Sequence, residues 1–287
     1  MSRPPGDSVT IEVLAEGLGF TEGPVCLPDG RIALTSISHA CVYIVDPAGG
    51  PTDKIDTGGG PNGLAVGSDG AIYVAQNGGI FGASDVAEPG VQVIRDGRVD
   101  YLAAGMDAPN DLVIGPDGRL WVTDTRAEID FFNPDADKPG WVWAVDTVTG
   151  ANELMLDSGP VFINGLGFSP DSARLMVTTT SGAQLWSYQL LPACTPDNDS
   201  AEVVCTFDGG WPDGMVVCPD GTIWVALTGG HRLDLVDQHG HVVDTVTLPD
   251  SALPTNVCLN TDSDNQLLVT ASFQQALLRI SLAKTRG

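Results

Sequence analysis

Positive charge is what this chain most lacks: Lys and Arg number 13 against 37 Asp and Glu, a formal net charge of -24. The acids run along the whole length rather than gathering in a tail, which describes a solvated acidic surface. Binding a phosphate backbone or an anionic bilayer draws on clustered Lys and Arg, so neither nucleic acid nor membrane is expected as a partner. No apolar run approaches the roughly 18 residues that span a bilayer. Met1 to Thr10 also lacks the charged start and apolar stretch of a secretory signal, and the expectation is a cytoplasmic protein, monomeric or dimeric. Metal-binding CxxC pairs are absent among the six cysteines, which read as buried free thiols. Cys194 and Cys205 flank a polar turn and could bridge, although a reducing compartment opposes it. Helical periodicity is missing too, so helical solenoids are excluded.

What the chain does have is turns, with 35 Gly and 20 Pro. Six turn dipeptides recur: Asp29-Gly30, Asp69-Gly70, Asp117-Gly118, Asp171-Ser172, Asp220-Gly221 and Asp264-Asn265. Each precedes an alternating apolar run such as Ile72-Tyr73-Val74 or Ile223-Trp224-Val225, which is a hairpin signal. A spacing of about 40 to 54 residues, with room for four strands per repeat, is the mark of a propeller. The predicted fold is therefore all-β, one domain over residues 1–287: a six-bladed β-propeller with four-stranded antiparallel blades. Thr10 to Leu14 has no hairpin of its own and the last repeat stops after Ile280. An N-terminal strand completing the last blade removes both exposed edges.

Seven residues before each turn aspartate stand Glu22, Asn62, Asn110, Asn164 and Asp213, and eight before the last stands Asn256. Any one of them reads as a turn cap. Six carboxylates and carboxamides at one repeat position instead predict a ring around the channel mouth. Two acids facing each other in a low-dielectric channel repel, so one must take up a proton unless a cation lies between them. Carboxylate and amide oxygens suit Ca2+ or Mg2+, and sometimes Mn2+, whereas zinc usually draws on His or Cys. None of the four histidines falls in the ring. The loops Gln76 to Glu88 and Thr125 to Gly140 should overhang it, the latter carrying Arg126, Glu128, Phe131 and Phe132 and ending beside Trp141. Asn62, Arg126 and Phe132 are thereby candidate substrate contacts.

The stretches Glu22-Gly23-Pro24-Val25, Asn110-Asp111, Asn164-Gly165-Leu166, Pro212-Asp213-Gly214-Met215 and Pro254-Thr255 resemble the senescence marker protein, gluconolactonase and luciferin-regenerating enzyme family across nearly the whole chain. The resemblance implies a six-bladed propeller holding one divalent cation, commonly calcium, with hydrolysis of a small lactone in many members. It carries the metal ligands to Glu22, Asn164 and Asp213, a substrate-contacting role to Asn110, and another to Glu128. Mg2+, Mn2+ and Zn2+ are the alternative cations. Sugar lactonases of this kind carry an Arg where Ala108 stands, and a Trp often follows the first motif where Cys26 stands. A less polar lactone or ester is accordingly the expected ligand. The expected reaction is metal-assisted ring opening by water, with Asp213 as general base and Asn110 orienting substrate or water. A non-hydrolytic enzyme of the same superfamily and a non-catalytic binding scaffold are the alternative readings.

Overall fold

The computed structural model describes residues 9–126, 138–261, 263 and 265–282. Glu128, Phe131, Phe132 and the turn residue Asp264 lie outside the described residues. β1 (Thr10–Ala15) precedes blade one, which comprises β2 (Thr21–Cys26), β3 (Ile32–Ser36), β4 (Cys41–Val45) and β5 (Asp53–Asp56). Blade two is β6 (Pro61–Val66), β7 (Ile72–Gln76), β8 (Gly90–Arg95) and β9 (Arg98–Ala104), and blade three is β10 (Pro109–Ile114), β11 (Leu120–Asp124), β12 (Pro139–Val145) and β13 (Asn152–Val161). Blade four contains β14 (Ile163–Phe168), β15 (Arg174–Thr179), β16 (Gln184–Leu191), β17 (Thr195–Pro196) and β18 (Glu202–Thr206). Blade five is β19 (Trp211–Val217), β20 (Ile223–Thr228), β21 (Arg232–Val236) and β22 (Val242–Thr247). β23 (Pro254–Leu259), β24 (Gln266–Ala271) and β25 (Ala276–Ser281) form blade six, and β1 completes it by pairing with β25. The protein is a six-bladed β-propeller whose first strand closes the ring, in the register Ile11 opposite Ile280, with Arg279 bridging Glu12 at 2.7 Å.

Each Asp-Gly turn is wider than a two-residue hairpin. Gly30 N donates to Leu27 O (3.0 Å), so Asp29 and Gly30 are the third and fourth residues of the turn. The Asp29 carboxylate then accepts from Arg31 N at 3.1 Å, a side-chain closure that Asp69, Asp117, Asp171 and Asp220 repeat. Gly30 has φ +84°, and in blade four Ser172 adopts the same left-handed conformation at φ +58°. That blade also departs from a uniform four-strand plan. The two-residue β17, inserted between β16 and β18, pairs with the end of β16.

Buried apolar side chains gather at the seams between neighbouring blades. Val225, Leu227 and Val236 of blade five meet Met176 and Leu185 of blade four, while Leu34 of blade one meets Leu268 and Leu277 of blade six. Burial at about 25 cal/mol per Å2 of apolar surface holds the blades radially. No disulfide joins any two of the six cysteines, all of which are among the described residues. Only Cys41 and Cys205 are buried, so the expectation of six buried thiols fails for Cys26, Cys194, Cys218 and Cys258, which keep some solvent contact. No helix among the described residues is long and apolar enough to cross a membrane.

Candidate functional site

The innermost strands β2, β6, β10, β14, β19 and β23 all carry a bulge near their first residues. In β6, Pro61 pairs with Gln76 and Leu64 with Val74, so one extra residue is accommodated between them. β2, β10, β14, β19 and β23 show irregularities at the matching place. Bulges re-aim side chains, and here they set the ring. Matching the pairings places Glu22, Asn62, Asn110, Asn164, Asp213 and Thr255 at one position. The sixth member is thus Thr255 rather than Asn256, because the last hairpin is two residues longer, with Val257 opposite Val269 where Leu64 faces Val74, and a count of eight back from its turn stops one residue short.

The next position along holds Gly23, Gly63, Gly165 and Gly214 in four blades, and Asp111 and Asn256 in the other two. A Cβ built on Gly63 would meet Asp111 Oδ1 and lie 2.7 Å from Asp111 Cα, and one on Gly214 would meet the Asn256 carboxamide. The two long side chains therefore occupy space that the glycines leave open. Gly63→Ala is expected to push Asn110 and Asp111 from their places and to cost about 1–3 kcal/mol, read as a lowered midpoint in urea denaturation.

Threonine hydroxyls hold the ring carbonyls from the neighbouring blade. Thr35 Oγ1 donates to Asn62 O (2.7 Å), Thr123 Oγ1 to Asn164 O (2.6 Å) and Thr178 Oγ1 to Asp213 O (2.6 Å). Blade three adds a carboxyl latch, whose proton affinity burial raises. Asp124, fully buried, accepts from Asp107 N (2.9 Å), Ala108 N (2.7 Å), Arg126 N (3.1 Å) and Trp143 Nε1 (3.1 Å). It fixes the chain that leads into Asn110. Asp124→Asn turns one acceptor oxygen into a donor facing these N–H groups. The expected result is a loss of roughly 1–3 kcal/mol, measured by chemical denaturation.

Three carboxylates share the hub. Glu22 is 4% exposed and Asp111 6%, while Asp213 keeps partial solvent contact. Burial, then the nearby Asp213 and Asp111 charges, push Glu22 well above the usual carboxylate range. Burial lifts Asp213 to about 7 against the hydrogen bonds from Thr228 and Asn164, and the Asp111 charge adds to the rise. Asp111 is also lifted to about 7, by burial. Asn256 Oδ1 accepts from Val257 N (2.8 Å), which leaves its amide nitrogen to serve both Glu22 and Asp111. Sequence reasoning named Glu22 and Asp213 but missed Asp111. The available signal was the break in the repeat, an acid where four blades have glycine.

Glu22, Asn164 and Asp213 are brought to one hub: Asp213 interacts with both, and Asn164 Nδ2 also donates to Thr180 Oγ1 at 2.9 Å. Asp213 Oδ2 accepts from Thr228 Oγ1 at 2.9 Å. The Asn110 carboxamide makes no hydrogen bond among the described residues, and Asn62, 2% exposed, has an orphaned Oδ1. Arg126 is already engaged. It contacts Asp107 (3.3 Å) and Pro139 O (3.4 Å), and its guanidinium lies 3.8 Å from the Trp141 ring centroid. These contacts tie Arg126 to Pro139 and Trp141 of β12.

Among the described residues no group of three His, Cys, Asp or Glu side chains converges as a metal cluster. A cation held here would be shared by carboxylates and carboxamides. Two cavities, of about 660 and 970 Å3, lie among the Asp-Gly turns on the opposite face and include no ring residue.

The arrangement defines a propeller with an acidic, carboxamide-lined hub. The chain belongs to the SMP-30/Gluconolactonase/LRE-like region family, whose pattern matches residues 20–273. The gluconolactonase of Zymomonas mobilis is 27% identical over 248 residues, covering 78% of this chain and 68% of that protein. The Arabidopsis thaliana protein strictosidine synthase-like 4 is 28% identical over 181 residues, 61% of this chain and 46% of the plant protein, so the chain spans about half of that relative. The calcium-binding protein regucalcin from Agrobacterium tumefaciens shares the fold, with a TM-score of 0.78 at 20% identity over 94% of this chain and 93% of that one. Kinship with gluconolactonases supports lactone hydrolysis as the class of activity.

Proposed function

We propose that the protein is a divalent-cation-dependent hydrolase that opens a small lactone or related cyclic ester. The observation that carries this reading is the cluster of Glu22, Asp111 and Asp213, three carboxyls whose proton affinities are all raised in one enclosed hub. Such a cluster is poised to exchange protons for a cation. The orphaned Asn62 Oδ1 fits the same hard, oxygen-seeking guest. Glu22, Asn164 and Asp213 are the proposed ligands, and calcium is the first choice, supported by the fold shared with the calcium-binding protein regucalcin of Agrobacterium tumefaciens. Mg2+, Mn2+ and Zn2+ remain alternatives.

When bound, a divalent cation polarises an ester carbonyl and stabilises the oxyanion that develops on it. Asp213, held by Thr228, takes the proton of the attacking water as general base. The Asn110 carboxamide, without a hydrogen bond among the described residues, orients the lactone or that water. Net negative charge over the whole surface favours a neutral ligand over an anionic one. A second reading is a non-hydrolytic enzyme of the superfamily, favoured by the similarity to the strictosidine synthase-like protein. A lactone panel assayed with calcium and after chelation separates the two. Cation-dependent appearance of hydroxy acid supports hydrolysis, and no turnover of any lactone in any of the four metals rejects it.

A further inference from the structure

We propose that Trp211 and Phe273 form an apolar shelf at the mouth of the hub that receives the alkyl or aryl substituent of the lactone. This deepens the hydrolase reading above and rests on it for the reacting group. Trp211 lies two residues before Asp213 in β19 and is 56% exposed, and Phe273 is 67% exposed. No other tryptophan or phenylalanine among the described residues is exposed. Both stand on the face where the ring opens. The inner strands start there, and β20 and β24 return there, with Thr228 opposite Trp211 and Ala271 opposite Pro254.

The fold seats the Trp211 ring and anchors the turn that carries Phe273. The indole of Trp211 lies over Gly229, where a Cβ would sit 2.8 Å from Cζ3 and 2.9 Å from Cε3. The glycine, at φ +74°, leaves the space that one ring face fills, while the other stays open to solvent. Phe273 sits in a turn closed by Gln275 N to Ser272 O (3.2 Å) and pinned to blade one by Leu18 N to Gln275 O (2.9 Å) and Ser272 Oγ to Thr21 O (2.7 Å). Thr228 ties these two blades together, donating to both Asp213 Oδ2 and Pro254 O. An exposed indole seated on Gly229 and an exposed phenyl carried on a pinned turn, both on the face where the strand bearing Asp213 begins, are a ready surface for an apolar group carried by a substrate whose carbonyl enters the hub.

The test compares γ-butyrolactone, γ-phenyl-γ-butyrolactone and gluconolactone on the native protein, Trp211→Ala and Phe273→Ala, all in calcium. The native protein is expected to prefer the phenyl lactone. Trp211→Ala should lower kcat/KM for it about tenfold, chiefly through KM, and leave the unsubstituted lactone unchanged. An unchanged ratio of phenyl to unsubstituted lactone in both variants, or a native preference for gluconolactone, overturns the shelf while leaving the hydrolase reading intact. Calorimetric titration with the phenyl lactone covers the remaining case. Binding that weakens in Trp211→Ala without any turnover keeps the shelf and removes the hydrolase, and equal binding to all three proteins removes the shelf.

Discussion

Asp213→Asn is expected to lower kcat/KM for lactone hydrolysis about a thousandfold, within the range for loss of a general base. The same change should raise the melting temperature of the cation-free protein at pH 8. These opposite signs come from one geometry. Asparagine keeps the oxygen that accepts from Thr228 Oγ1, so the bulge of β19 persists, while one of three mutually repelling acids is gone. Circular dichroism melting in chelator, run beside steady-state assays in calcium, reads both effects. A variant that hydrolyses lactones at the native rate removes Asp213 from the chemistry. One that is less stable in chelator than the native protein shows that the hub acids do not oppose each other.

The pH dependence of the cation-free protein is the second large expectation. A carboxyl with a raised folded pKa stabilises the fold below its unfolded pKa and loses that contribution as pH rises through the folded value. Asp111 and Asp213 move from 3.8 to about 7, and Glu22 shifts in the same direction. Stability without a cation should therefore fall between about pH 4 and pH 7. Each tenfold change in proton affinity is worth about 1.4 kcal/mol. For a few kcal/mol in all, the melting temperature should drop by roughly 5–10 °C between pH 5 and pH 8. Calcium at pH 8 should reverse the drop, because a cation replaces the protons. Scanning calorimetry at both pH values, with chelator and with calcium, checks the sign. Rising stability from pH 5 to pH 8 in chelator would contradict the hub electrostatics.

Several parts of this picture were legible in the chain. The Asp-Gly turns are local chemistry, and their spacing shows as a repeat whatever the tertiary structure, so six blades and the closing strand followed from it. The ring was legible wherever the turn keeps its length. It failed in blade six, where two added residues in the hairpin made Asn256 look equivalent to Asn62 although the pairing gives that place to Thr255. Asp111 stayed hidden because alternation predicts one inward residue per strand start. A bulge can turn two consecutive residues toward the same space, and that depends on pairing partners which are distant in sequence. Arg126 was named as a substrate contact because it opens a long loop, and its contacts with Asp107, Pro139 and Trp141, set by the folding of blade three, could not be read from the sequence.

Calcium titration of chelator-stripped protein at pH 8 by isothermal calorimetry, with native protein, Glu22→Gln and Asn164→Leu in parallel, tests the hub most directly. One site per chain is expected in the native protein, with affinity reduced at least about tenfold in each variant. Native protein that takes up no calcium or other divalent cation, or variants that bind as tightly as the native chain, would contradict a cation centre at Glu22, Asn164 and Asp213.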